Sequence, residues 1–84
     1  MTKLEKQLIY LGYECKGEAN SNRIIYRKQI TEWLFIDLLI DITRRKIIRY
    51  ETIQCVKHPI DHTPAINIMK QDLQYLKKLY IIVK

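Results

Sequence analysis

Eighty-four residues suffice for one domain, spanning 1–84, and a chain of this length buries only about 60–65% of the surface its unfolded form exposes. A composition 48% hydrophobic and 29% charged, with 2 Gly and 2 Pro, excludes a disordered chain, and two cysteines, Cys15 and Cys55, are too few for a disulfide framework. The net charge of +6, from 15 Lys+Arg against 9 Asp+Glu, suits a polyanion or an acidic protein surface, and equally plain solubility.

The first helix is predicted over Thr2–Leu11. Thr2 and Glu5 stand at capping-box spacing, Leu4, Leu8 and Leu11 form one apolar face, and Gly12 is a natural C-terminal stop. The start, "MTKLEKQLIY", has no apolar core of the signal-peptide kind, so no signal peptide is expected. Residues 14–22, "ECKGEANSN", read as a loop from their Gly, Asn and Ser.

Three strands follow: Arg23–Gln29, Trp33–Ile42 and Lys46–Val56, all rich in Ile, Tyr and other strand formers. In the second, the even positions Leu34, Ile36, Leu38, Ile40 and Ile42 are all aliphatic, so they face the core. The link "TRRK" is short enough for a hairpin. It predicts Ile42 opposite Ile48, Ile40 opposite Tyr50 and Leu34 opposite Val56, with an Asp41–Arg49 pair on the outer face. Asp37 and Asp41 interrupt the apolar run, so no segment is predicted to span a membrane.

The last helix is predicted to open with Thr63 as N-cap and Pro64 as its first residue, and to run to Tyr80. Ile66, Met69, Leu73, Leu76 and Tyr80 form its apolar stripe, while Ile81–Val83 fits either more helix or a short strand. The expected fold class is α+β: an α-β-β-β-α chain with two helices packed on one face of a three-stranded antiparallel sheet. The other face would carry Trp33, Phe35, Leu39, Ile47 and Ile53 beside Asp37, Asp41, Arg49 and Glu51. That is more apolar than solvent requires, so it is the candidate surface for a protein partner or a second copy of the chain.

"CVKHPIDHTP", residues 55–64, is the one stretch with metal-ligand chemistry: Cys55, His58 and His62, with Asp61, are a zinc-compatible set. The simpler reading makes it a joint, with Pro59 ending the strand and Thr63-Pro64 opening the helix. No cofactor is expected. Asp37 and Asp41 share a face but have no nucleophile or Gly-rich loop beside them, so the chain is not read as an enzyme. Arg23, Arg27, Arg44, Arg45, Lys46 and Arg49 form a candidate basic patch for nucleic-acid phosphates.

The α-β-β-β-α order resembles that of the double-stranded RNA-binding domain, which places a lysine cluster at the start of its second helix. Here that start is "TPAINIMK", with Lys70 alone. A resemblance covering more of the chain is carried by "LEKQLIYLGYE", "IIYRK", "FIDLLIDITRRKIIRY" and the closing "TPAINIMKQDLQYLKKLY". These stretches resemble small uncharacterised phage and prophage proteins of low-GC Gram-positive bacteria. The resemblance implies an intracellular, cytoplasmic accessory protein and supplies no catalytic residues. The expected function is binding of a protein partner, itself included, through the outer sheet face or the basic hairpin; the alternative is nucleic-acid binding.

Overall fold

In the computed structural model, which describes residues 2–83, the chain enters helix α1 (Lys3–Tyr10) through Thr2. The Thr2 hydroxyl accepts the Glu5 N–H at 3.2 Å and donates to the Glu5 carboxylate at 3.1 Å. At the other end Gly12 takes φ +102°. The Gly12 N–H donates to the Ile9 carbonyl and the Tyr13 N–H to the Leu8 carbonyl, both at 3.0 Å. These paired reverse bonds are a Schellman motif, which needs a residue at ease with positive φ. They turn Tyr13 into the core beside the fully buried Leu8.

Most of residues 14–22 is not the loop that their composition suggests; only Ser21 and Asn22 form a turn. Strand β1 (Glu14–Asn20) pairs antiparallel with β2 (Arg23–Gln29), although every β1 residue is exposed. Backbone pairing, not side-chain packing, makes this strand. Two register shifts, after Cys15 and after Glu18, bend it, and Gly17 supplies the positive φ of +118° at the first. A bulged edge carrying Glu14, Lys16 and Glu18 resists pairing with another chain.

Strands β3 (Leu34–Asp41) and β4 (Lys46–Gln54) continue the antiparallel meander, and β5 (Ile81–Ile82) joins the far edge parallel to β4. The fold is therefore α+β, but with a mixed five-stranded sheet in place of the predicted three-stranded antiparallel one. The element order, α-β-β-β-β-α-β, also departs from the RNA-binding order that the sequence resembles.

The β3–β4 register lies two residues from the predicted one: Leu38 faces Tyr50 and Leu34 faces Gln54. The cause is a tighter turn. Asp41 already pairs with Lys46, and Arg45 adopts φ +54° to close the loop. A two-residue offset preserves which side chains face inward. One bulge then changes it locally: Leu39 faces Arg49 but Ile40 faces Ile47, leaving Ile48 as the extra residue. Ile47, predicted on the outer face, is therefore fully buried in the core. Asp41 is also buried, because its carboxylate turns onto the loop and accepts the Arg44 N–H at 3.1 Å.

Helix α2 (Thr63–Leu76) has His62, not Thr63, as its N-cap. The His62 ring is held elsewhere, and the Asp61 carboxylate accepts the Thr63 N–H at 2.9 Å instead. The helix stops at Leu76, short of the predicted Tyr80. The Leu79 and Tyr80 N–H groups both fold back onto the Leu76 carbonyl, at 2.9 and 2.8 Å. That turn buries Tyr80 and delivers Ile81, whose N–H donates to the Arg45 carbonyl at 2.8 Å.

The even side of β3 (Leu34, Ile36, Leu38 and Ile40) forms one core with Leu8, Tyr13, Tyr26, Ile47, Ala65, Leu76 and Tyr80. Each fully buried aliphatic side chain there contributes about 1.5–3 kcal/mol of transfer free energy. The buried line of α2 is Ala65, Asp72 and Leu76, flanked by Ile68, Met69 and Leu73. It is rotated from the predicted stripe and places a carboxylate inside.

Candidate functional site

The odd side chains of the sheet's three middle strands form three rows across its outer face. Gln29, Phe35 and Ile53 make one row, Arg27, Asp37 and Glu51 the next, and Ile25, Leu39 and Arg49 the third. Ile25, Phe35, Leu39 and Ile53 are all half-buried, and none belongs to the core cluster or packs against it. The helix residues that pack on the core, Leu4 and Leu8 of α1 and Ala65, Ile68, Met69, Leu73 and Leu76 of α2, lie on the other side. Trp33 precedes β3 and is 46% exposed; its carbonyl accepts the Cys55 N–H at 3.0 Å, which extends the ladder to this end of the face.

A charged pair occupies the centre of the face. Arg27 Nε donates to Asp37 Oδ1 at 2.7 Å and Nη2 to Oδ2 at 2.9 Å, while the guanidinium carbon lies 5.6 Å from the centre of the Phe35 ring. The fork matches the carboxylate in two bonds, and the ring adds a cation–π contact. Asp37 sits opposite Glu51, an unfavourable juxtaposition. Arg27 relieves it on one side and Arg49, 3.9 Å from Glu51, on the other. The predicted Asp41–Arg49 pair does not form, because the shifted register puts Leu39 opposite Arg49.

The six predicted basic residues are not one patch. Arg27 and Arg49 are drawn into ion pairs on the outer face. Arg23 and Lys46 flank Asp41 on neighbouring strands. Arg44 and Arg45 lie in the turn, where they line an open depression together with Lys77 and Lys78. No carboxylate lines it, and none of these four cations makes an ion pair among the described residues. The two lysines arrive there because β5 pairs beside the turn. Reading "IIVK" as a strand would have brought them into view.

The joint at residues 55–64 gathers no ligand set. Among the described residues no three His, Cys, Asp or Glu side chains come together as a metal site. Cys55 is exposed, its thiol donating to the Glu32 carbonyl at 3.6 Å, and His58 is exposed. His62 turns back to β4: Nδ1 is 2.8 Å from the Thr52 hydroxyl and Nε2 is 2.8 Å from Gln54 Oε1.

Inside the molecule lies a polar cluster that sequence reasoning missed. Asp72 Oδ2 accepts from the Tyr13 hydroxyl at 2.9 Å and the Lys28 ammonium at 2.8 Å. Burial, then the nearby Asp72 charge, drive the Tyr13 hydroxyl's pKa well above the ordinary tyrosine value. No described helix is long and apolar enough to cross a membrane. Comparison of the chain with protein-family models, with curated proteins and with solved structures finds no match.

Proposed function

We propose that the chain is a small accessory protein of the phage or prophage kind, that it acts by binding and not by catalysis, and that its first partner is a second copy of itself. The observation that carries this reading is the outer sheet face, where four half-buried apolar side chains surround a charged pair and no helix packs. Its charge layout is self-complementary. Place a two-fold axis parallel to the strands between two such faces, and β2 of one copy lies over β4 of the other. Each row then meets itself reversed. Arg27 faces Glu51 in both directions, Phe35 faces Phe35, and Leu39 faces Leu39. The two Asp37 carboxylates, which meet at the centre, each retain their bidentate Arg27. Aligned packing of two sheets about 10 Å apart accommodates such rows.

Sedimentation of the chain at tens of micromolar tests this. A dimer is expected, with Trp33 emission shifted to the blue. Glu51→Arg sets arginine against arginine across the axis and should give a monomer of unchanged fold. A monomeric wild type with fully solvated Trp33 would remove the proposal. The two exposed, unbridged cysteines fit a reducing, cytoplasmic setting.

A second reading has its own support. Arg44, Arg45, Lys77 and Lys78 form an acid-free cationic end suited to nucleic-acid phosphates. Gel-shift with generic DNA and RNA at low and moderate salt separates the two readings. Phosphate binding weakens steeply as salt rises, and no shift at low salt ends this alternative.

A further inference from the structure

A cavity of about 470 Å³ opens between the start of α1 and the β3–β4 turn, away from the outer sheet face. That volume is in the range of small-molecule sites, roughly 300–1,000 Å³. Leu4, Leu8 and Ile40 make its apolar wall. Tyr26 and Tyr80, only 3% and 6% exposed, line it as well. Neither hydroxyl has a hydrogen-bond partner among the described residues, whereas Tyr13 and Tyr75 donate to Asp72 and Gln7. Buried phenols ordinarily find partners. Among the described residues no sealed side-chain polar atom is left unsatisfied, so these two hydroxyls are not sealed from solvent, and both residues line the cavity.

The charges at the rim define what fits. Arg45 and Lys3 stand there against Glu5, whose carboxylate accepts from the Thr2 hydroxyl. Burial, followed by the nearby Tyr26 and Glu5, pushes the Tyr80 hydroxyl up to about 12, with Arg45 acting in the opposite sense. Tyr26 is raised too, by burial first and then by Glu5 and Cys15. Both phenols therefore offer O–H donors at neutral pH. Arg45 holds φ +54°, a backbone conformation suited to glycine or asparagine and uncommon for arginine.

We infer that this cavity binds a small molecule with an apolar body and a carboxylate head, the body against Leu4, Leu8 and Ile40 and the head accepting from Tyr26, Tyr80 and Arg45. Such a site is separate from the outer sheet face and stands whether or not the chain dimerises.

The test uses the full chain with sodium octanoate, and with octylammonium and 1-octanol as cationic and neutral probes of equal length. Octanoate is expected to shift the amide resonances of Tyr26, Ile40 and Tyr80 and to raise the melting temperature, with both other probes binding at least tenfold more weakly. Arg45→Gly removes the head contact while relaxing the turn. It should melt no lower than wild type and bind octanoate at least tenfold more weakly. Equal binding of octylammonium, unchanged octanoate affinity in Arg45→Gly, or no shift at these three residues in millimolar octanoate would each overturn the inference.

Discussion

The Lys28 ammonium meets the Asp72 carboxylate at 2.8 Å, joining the second strand to the last helix across 44 residues of chain. The side chains are 18% and 9% exposed, so the pair is largely withdrawn from water. Tyr13 completes the arrangement: its hydroxyl bonds the same Asp72 oxygen, and Lys28 Nζ lies 5.4 Å from the centre of its ring. Removing one member of a buried ion pair leaves the other charge uncompensated, which costs about 3–5 kcal/mol in full burial. Since Lys28 retains some solvent, Asp72→Ala is expected to lose about 2–4 kcal/mol, read from urea unfolding. Lys28→Met combined with Asp72→Asn keeps an acceptor for Tyr13 and removes both charges. It should recover most of that loss. A double variant as unstable as Asp72→Ala would show that the charges themselves hold the helix in place.

Alkaline titration gives the second prediction. Tyr13, Tyr26 and Tyr80 all have hydroxyls raised above the ordinary value, chiefly by burial, and Tyr80 lies at about 12. A group whose folded pKa is raised binds its proton more tightly when folded. Its stabilisation is complete below the unfolded value, about 10, and is lost as pH climbs through the folded value. The contribution of these groups should therefore be full and independent of pH at neutral pH, and stability should fall from about pH 10 upward, with the share of Tyr13 the last to be lost. Absorbance at 295 nm should show ionisation lagging that of the urea-unfolded chain. Tyr80→Phe should flatten the decline without abolishing it, because Tyr13 and Tyr26 remain.

Gly12 supplies a third. Alanine there must adopt φ +102° and would place its Cβ 3.4 Å from Lys28 Cε, on a side chain already tethered to Asp72. The backbone alone costs roughly 1–2 kcal/mol, with the crowding added. Gly17→Ala faces φ +118° but open space, on an exposed, already irregular edge. Thermal melts should show the larger loss for Gly12→Ala. Equal losses would mean that Lys28 yields freely.

The parts of this fold that could be read from sequence are those set by local chemistry. Arg23–Gln29 is a strand with the predicted ends, because Ile24, Ile25 and Tyr26 carry the signal. Thr2 and Gly12 bracket the first helix, because capping depends on residues only a few positions apart. What escaped depends on distant partners. Strand β1 has no side-chain pattern, since only its backbone pairs. Asp72 resembles any solvent-facing helix carboxylate until Lys28 and Tyr13 are seen around it. Ile47 changes sides through a bulge that no alternation rule reveals. For the candidate site, Phe35, Leu39 and Ile53 lie on the expected face, whereas the cationic end at Lys77 and Lys78 depends on a two-residue strand formed far from the turn it joins.

The final prediction concerns His62, the most chemically suggestive residue of the sequence. Gln54 donates its amide to the Val56 and His58 carbonyls at 2.8 Å each, so its Oε1 is left to accept. It accepts from the Ile60 N–H at 3.4 Å and faces His62 Nε2 at 2.8 Å. A neutral ring must then carry its proton on Nε2, leaving Nδ1 to accept from the Thr52 hydroxyl at 2.8 Å. Both nitrogens are thus committed to bracing the joint against β4, and neither is free for a metal. His62→Ala should cost about 1–3 kcal/mol, the loss of two hydrogen bonds to the half-buried Thr52 and Gln54 at roughly 0.5–1.5 kcal/mol each. EDTA or equimolar zinc should leave the wild-type melting temperature unchanged. If zinc instead raised it by several degrees and His62→Ala or Cys55→Ser abolished that rise, the ring would be a ligand and the bracing network would have to open to bind the metal.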